Sequence, residues 1–138
     1  MKRLLLLLSI CTMFLPAFSQ KHCELVVKVE NIKTIKGSLM IAVYDHEDRF
    51  LSQEVVSEGK PINASSMAFS FKGLGSGVYA VSIYHDENDN GKLDANFMGI
   101  PSEPYAFSNN AKGMFGPPSF EDCRFEVKSA VQEIVISL

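Results

Sequence analysis

Apolar and polar residues alternate with a period of two along much of this chain. From Cys23 to Asn31, Cys23, Leu25, Val27 and Val29 fall on one side and Glu24, Lys28 and Glu30 on the other, with Val26 the exception. From Gly37 to Asp45, Leu39, Ile41 and Val43 oppose Met40, Ala42 and Tyr44. Met67, Phe69 and Phe71 alternate with Ala68, Ser70 and Lys72, and Tyr79, Val81 and Ile83 alternate with Ala80, Ser82 and Tyr84. Cys123, Phe125 and Val127 form a similar run, as do Ile134, Ile136 and Leu138. Successive side chains of an extended strand point to opposite faces, so each run predicts a half-buried strand.

Turn-forming residues separate these runs: Lys36-Gly37, Ser57 to Pro61, Gly73 to Gly77, and Lys128 to Ala130. A further strand is expected around Pro104 to Ser108, and Ser119 is placed to cap a short helical turn. About seven short antiparallel strands without a sustained helical period predict an all-β fold, a single antiparallel β-sandwich. One charged face per strand argues against a buried parallel sheet.

The first residues have a different character. Lys2 and Arg3 precede an apolar stretch from Leu4 to Leu15, Pro16 breaks it, and Ala17-Phe18-Ser19 fits a small-x-small cleavage site. The expectation is a signal peptide over 1–19, with 20–138 forming one domain exported to the periplasm or beyond the cell. The apolar stretch is short for a membrane span, and none is expected in the mature chain. The formal net charge is −3 and becomes more negative when Lys2 and Arg3 are removed. That balance supplies neither a basic nucleic-acid footprint nor a polybasic membrane patch.

Cleavage would also remove Cys11 and leave Cys23 and Cys123. Two cysteines in an oxidising compartment suggest one disulfide, and both stand at core-facing positions of their runs. A bridge closing a loop of about 100 residues contributes at most roughly 4–5 kcal/mol in the chain-entropy picture. Two buried thiols acting as small hydrophobes are the alternative.

The densest chemistry lies in Asp86-Glu87-Asn88-Asp89-Asn90-Gly91-Lys92-Leu93-Asp94. Asp86, Asn88 and Asn90 occupy positions one, three and five of a calcium loop, Gly91 takes the sharp-turn position, Lys92 offers a carbonyl and Asp94 stands ninth. Position twelve calls for a bidentate glutamate and holds Phe97 instead. Asn96, Glu103, a carbonyl or water would have to complete the shell. With few carboxylates, weak binding of calcium at about 10⁻⁴–10⁻³ M is expected. The competing reading is a metal-free turn, since Asn-Gly favours tight hairpins and Asp and Asn side chains bond to backbone two residues on.

The segment from Asn96 to Phe120 is rich in Gly, Pro and aromatic residues. Its aromatics either cap one end of the core or line a groove for a carbohydrate or peptide. His85, Glu103, Tyr105, Phe107, Asn109 and Phe120 are the candidates for such a ligand face. His46 and His85, each beside an Asp at a strand end, could meet in a transition-metal site. No nucleophile motif or zinc-protease helix is present, and no catalytic residues are assigned.

The stretch from Gly77 to Asn88, followed by Asn90-Gly91-Lys92-Leu93-Asp94, Asn96-Phe97, Gly99-Ile100-Pro101, Glu103, Phe107-Ser108-Asn109-Asn110 and Gly116 to Asp122, resembles the domain of unknown function 2141 family of small exported bacterial proteins. The resemblance implies an immunoglobulin-like or transthyretin-like sandwich and implies no activity. The loop is also similar to calcium loops in bacterial surface B-type repeat domains. Together these features suggest a non-enzymatic binding or adhesion-like module. An envelope or extracellular enzyme acting on glycans or peptides through His85 and Asp86, and a ligand-free accessory domain, are the alternatives.

Overall fold

A computed structural model describes residues 22–138; the expected signal peptide lies outside the described residues. The chain is mostly β, arranged in two sheets. The first contains β4 (Met67–Gly75), β1 (His22–Glu30) and β8 (Val131–Ser137), in that order. The second runs β3 (Val56–Pro61), β2 (Ser38–Tyr44), β5 (Gly77–Asp86) and β6 (Tyr105–Phe107), and β7 (Phe125–Val127) also pairs with β5. A short helix, α1 (Phe120–Cys123), precedes β7. Ser119 caps it as expected: its hydroxyl accepts the Asp122 N–H while the Asp122 carboxylate accepts the Ser119 N–H.

The period-two pattern is realised as burial. Leu25, Val27 and Val29 of β1, Leu39, Ile41 and Val43 of β2, Phe69 and Phe71 of β4, Val81 and Ile83 of β5, and Ile136 of β8 join one apolar core. Burying a side chain of this size stabilises by about 1.5–3 kcal/mol, so the strand faces are set by the alternation itself. A second apolar cluster holds Tyr44, Ala80, Phe107, Phe120 and Cys123. Its β2 and β5 members alternate with core-facing Val43 and Val81, so it lies on the outer face of the second sheet. Phe50 packs edge-on to Tyr44 and Phe120 there, with ring centroids 5.3 Å and 5.7 Å apart.

The structure corrects three expectations. The first sheet is mixed: β1 is antiparallel to β4 but parallel to β8, with Val27 opposite Ile134. The parallel partner of central β1 is an outer strand, and β8 keeps an exposed alternate face and carries no continuous apolar run. Next, Ser57 to Pro61 is strand rather than turn. It is an edge strand, where Pro61 interrupts no ladder on its open side. Gly59 makes room for Met40, whose sulfur would lie 2.6 Å from an added Cβ.

Finally, no disulfide joins Cys23 to Cys123. Cys23 belongs to the core between the sheets, and Cys123 belongs to the cluster on the outer face of the second sheet. The second sheet therefore stands between the two thiols. Burial pushes the Cys123 thiol up to about 11.

Candidate functional site

The Asp86–Asp94 loop begins at the last residue of β5, where Asp86 pairs with Ser38 at the start of β2. Gly37 has φ +65°, and a Cβ there would meet the Asp86 carbonyl oxygen at 2.1 Å. Only glycine allows both that backbone angle and that approach, so the β2 entry and the loop fit together through a missing side chain. Ser38 Oγ donates to Asp89 Oδ1 at 2.7 Å, adding a side-chain tie between them.

Asp86 is 2% exposed. Its carboxylate accepts the N–H of Asn90 at 3.1 Å through one oxygen and that of Gly91 at 2.7 Å through the other. Asn88 Oδ1 accepts the Asn90 N–H at 3.1 Å, and Asn90 Oδ1 accepts the Lys92 N–H at 2.9 Å, which are successive Asx-turns. The amide nitrogens of Asn88 and Asn90 donate to the Asp94 carboxylate, at 2.6 Å and 3.0 Å. Asp86, Asn88, Asn90 and Asp94 are thus one hydrogen-bonded unit, and Lys92 joins it through its backbone N–H.

Glu103 organises the loop from beneath. It is 8% exposed and accepts the Glu87 N–H through Oε1 and the Asp94 N–H through Oε2, each at 2.9 Å. One carboxylate therefore spans the beginning and end of the loop. Lys36 Nζ sits 3.0 Å from Glu87 Oε2, and this bond holds the Glu87 carboxyl below its usual range.

The proposed ligand face divides. His85 is 1% exposed, and its Nε2 is 2.8 Å from the Lys36 carbonyl oxygen. Phe107 and Phe120 are buried in the outer cluster, and Glu103 is buried under the loop. All four are at most 9% exposed, and of them Phe107 lines a groove beside Tyr105. The second-sheet cluster draws Phe107 and Phe120 inward, and backbone groups take Nε2 of His85 and both carboxylate oxygens of Glu103. Tyr105 is exposed, and Asn109 is exposed while its Nδ2 donates to the carbonyls of Asp122 and Arg124. His46 is exposed beside Asp48, whereas His85 is turned inward. Among the described residues, no group of three or more His, Cys, Asp or Glu is arranged to hold a metal.

The aromatic segment also sends residues outward. Phe97 and Phe115 are 98% and 99% exposed, with Met98, Ile100 and Met114 beside them in sequence. Asn96 Oδ1 accepts the N–H groups of Met98 and Ile100, which fixes the tip carrying Phe97. Sequence reading missed Lys36 and Gly37 as parts of the site, because a Lys-Gly pair signals a turn and gives no sign of its distant partners.

The sequence profile of a bacterial family described as "uncharacterized protein conserved in bacteria" (DUF2141) matches residues 27–135. The chain belongs to this family. The DUF2141 match takes in β2 to β7, the second part of β1, most of β8, and the whole Asp86–Asp94 loop with Glu103. No curated protein and no solved structure matches the chain. No helix among the described residues is long and apolar enough to cross a membrane.

Proposed function

We propose that this chain is an exported, non-enzymatic binding module, a sandwich of the immunoglobulin-like or transthyretin-like kind, whose Asp86–Asp94 loop takes calcium weakly. The observation that carries the reading is the convergence of Asp86, Asn88 and Asn90 with Asp94 in one ordered loop over the buried Glu103. The donor set suits a hard cation: two carboxylates and two amide oxygens, without sulfur or imidazole. Calcium would take the place of the Asn amide nitrogens that now face the Asp94 carboxylate, and the Asn oxygens would turn toward it. Phe97 contributes no ligand at position twelve, and both Glu103 oxygens already accept backbone N–H groups. The site is therefore a weak one that stiffens a loop.

A catalytic reading through His85 and Asp86 has less support, because both side chains are buried and engaged with backbone groups. The ligand-free accessory domain remains the comparison for the test. Calcium at ten times its dissociation constant raises stability by about 1.4 kcal/mol through linkage. Thermal melting with millimolar calcium and with chelator should differ for the native chain and coincide for Asp86→Asn/Asp94→Asn. Coincident native curves would leave a metal-free Asx-turn loop.

A further inference from the structure

We infer that the free edge of β6 is a docking strand for an extended acidic peptide. β6 is the terminal strand of its sheet, antiparallel to β5 with Tyr84 opposite Tyr105 and Ser82 opposite Phe107. The His85 N–H donates to the Pro104 carbonyl at 2.9 Å, which makes His85 and Pro104 a hydrogen-bonded pair. Alternation in an antiparallel ladder then turns the backbone groups of Ala106 toward β5, and those of Tyr105 and the N–H of Phe107 away from it.

That outward side opens on a groove of about 460 Å³ lined by Tyr105, Phe107, Asn110, Lys112, Ser137 and Leu138. The far wall is the end of β8, whose Ser137 N–H is taken by Asn110 Oδ1 at 2.8 Å. Asn110 thereby caps β8, and β6 has no strand on its groove side. Strand-spaced donors and acceptors are matched by another extended backbone, the chemistry of β-strand addition.

Charge indicates the kind of peptide. Lys112 lines the groove, is exposed, and has no acidic partner among the described residues. A carboxylate beside the added strand would complement it. The half-exposed Tyr105 ring, edge-on to Phe107 at 6.0 Å, offers an apolar surface to a side chain of the incoming strand.

This inference supplies a partner to the binding-module reading and rests on it, but it does not need the calcium loop. The probes are capped heptapeptides alternating Val and Thr with either Glu or Lys, titrated into the full chain in calcium and in chelator. The Glu series should bind up to about fivefold tighter than the Lys series, and Lys112→Glu should reverse the order. Amide hydrogen exchange should slow at Tyr105 and Phe107 on binding. Tyr105→Pro, which removes the outward N–H together with the ring, should weaken binding by up to about tenfold more than Tyr105→Ala, which removes the ring alone, with strand circular dichroism retained in both. No binding by either series at millimolar concentration would overturn the inference, as would protection at β3 or β4 in place of β6. Peptide binding that is equal in calcium and chelator supports the groove, even where melting has ruled out the metal.

Discussion

Glu103 accepts the backbone N–H of Asp94 at 2.9 Å, so a residue from the approach to β6 fixes the last acidic position of the loop. Its other oxygen holds the Glu87 N–H. Glu103→Ala would leave both donors without their partner. At about 1–3 kcal/mol for each unsatisfied group, the expected loss is about 2–6 kcal/mol in chemical denaturation. Glu103→Gln keeps one acceptor and should lose less. Equal stability of Glu103→Ala and the native chain would mean that water replaces the carboxylate without cost.

The two glycines around the loop should respond differently. Gly37→Ala places a methyl against the Asp86 carbonyl at positive φ, combining a backbone clash with conformational strain. Gly91 also has positive φ, +76°, but nothing lies within 4 Å of an added Cβ. Gly91→Ala should cost about 1–2 kcal/mol from backbone conformation alone, and Gly37→Ala clearly more. Denaturation midpoints of the two variants test the order, and a Gly91→Ala loss equal to that of Gly37→Ala would contradict it.

Ser108 joins three segments across the outer cluster. Its hydroxyl accepts the Val81 N–H at 2.9 Å and donates to the Cys123 carbonyl at 2.5 Å, fully buried. Ser108→Ala should cost about 1–3 kcal/mol because the Val81 donor loses its acceptor. Amide exchange at Val81 should accelerate in that variant, whereas a merely smaller core would leave this one amide protected.

The local half of this architecture was legible from the residues. Leu25, Val27 and Val29 alternate in sequence and are buried in the fold, as are Leu39, Ile41 and Val43. The Ser119 cap was legible too, because a capping residue bonds within its own turn. What depends on distant partners was hidden. Ser57 to Pro61 has the composition of a turn, and its pairing with β2 makes it a strand. Cys23 and Cys123 share an alternating pattern, yet α1 carries Cys123 to the other face of the second sheet. The loop's oxygen spacing announced that Asp86, Asn88, Asn90 and Asp94 would converge. Nothing local announced that His85 would turn inward to the Lys36 carbonyl.

The Cys123 thiol should be slow to react. Burial raises its pKa from 9.0 to about 11, so at neutral pH the folded chain holds roughly a hundredfold less thiolate than an unfolded one. The raised value favours the folded state fully below pH 9.0, and this contribution is lost as pH climbs toward about 11. Iodoacetamide labelling read by peptide mass should be faster at Cys123 in denaturant than in the native chain by at least that factor. Rapid native labelling would show that the outer cluster opens.

The Lys36–Glu87 contact gives a pH dependence of opposite sign. The Lys36 ammonium beside Glu87 lowers its carboxyl from 4.5, chiefly through their hydrogen bond. A depressed acid contributes stability above its unfolded pKa and loses it as pH falls through the folded value. The contact is on the surface, so its contribution is small and weakens with salt. Lys36→Ala keeps the carbonyl that faces His85 Nε2 and removes only the ammonium. Carboxyl-carbon NMR should find Glu87 titrating below the ordinary glutamate range in the native chain and returning toward it in Lys36→Ala. High salt should narrow the difference between the two. A Glu87 titration identical in both chains would assign the shift to the loop's backbone rather than to Lys36.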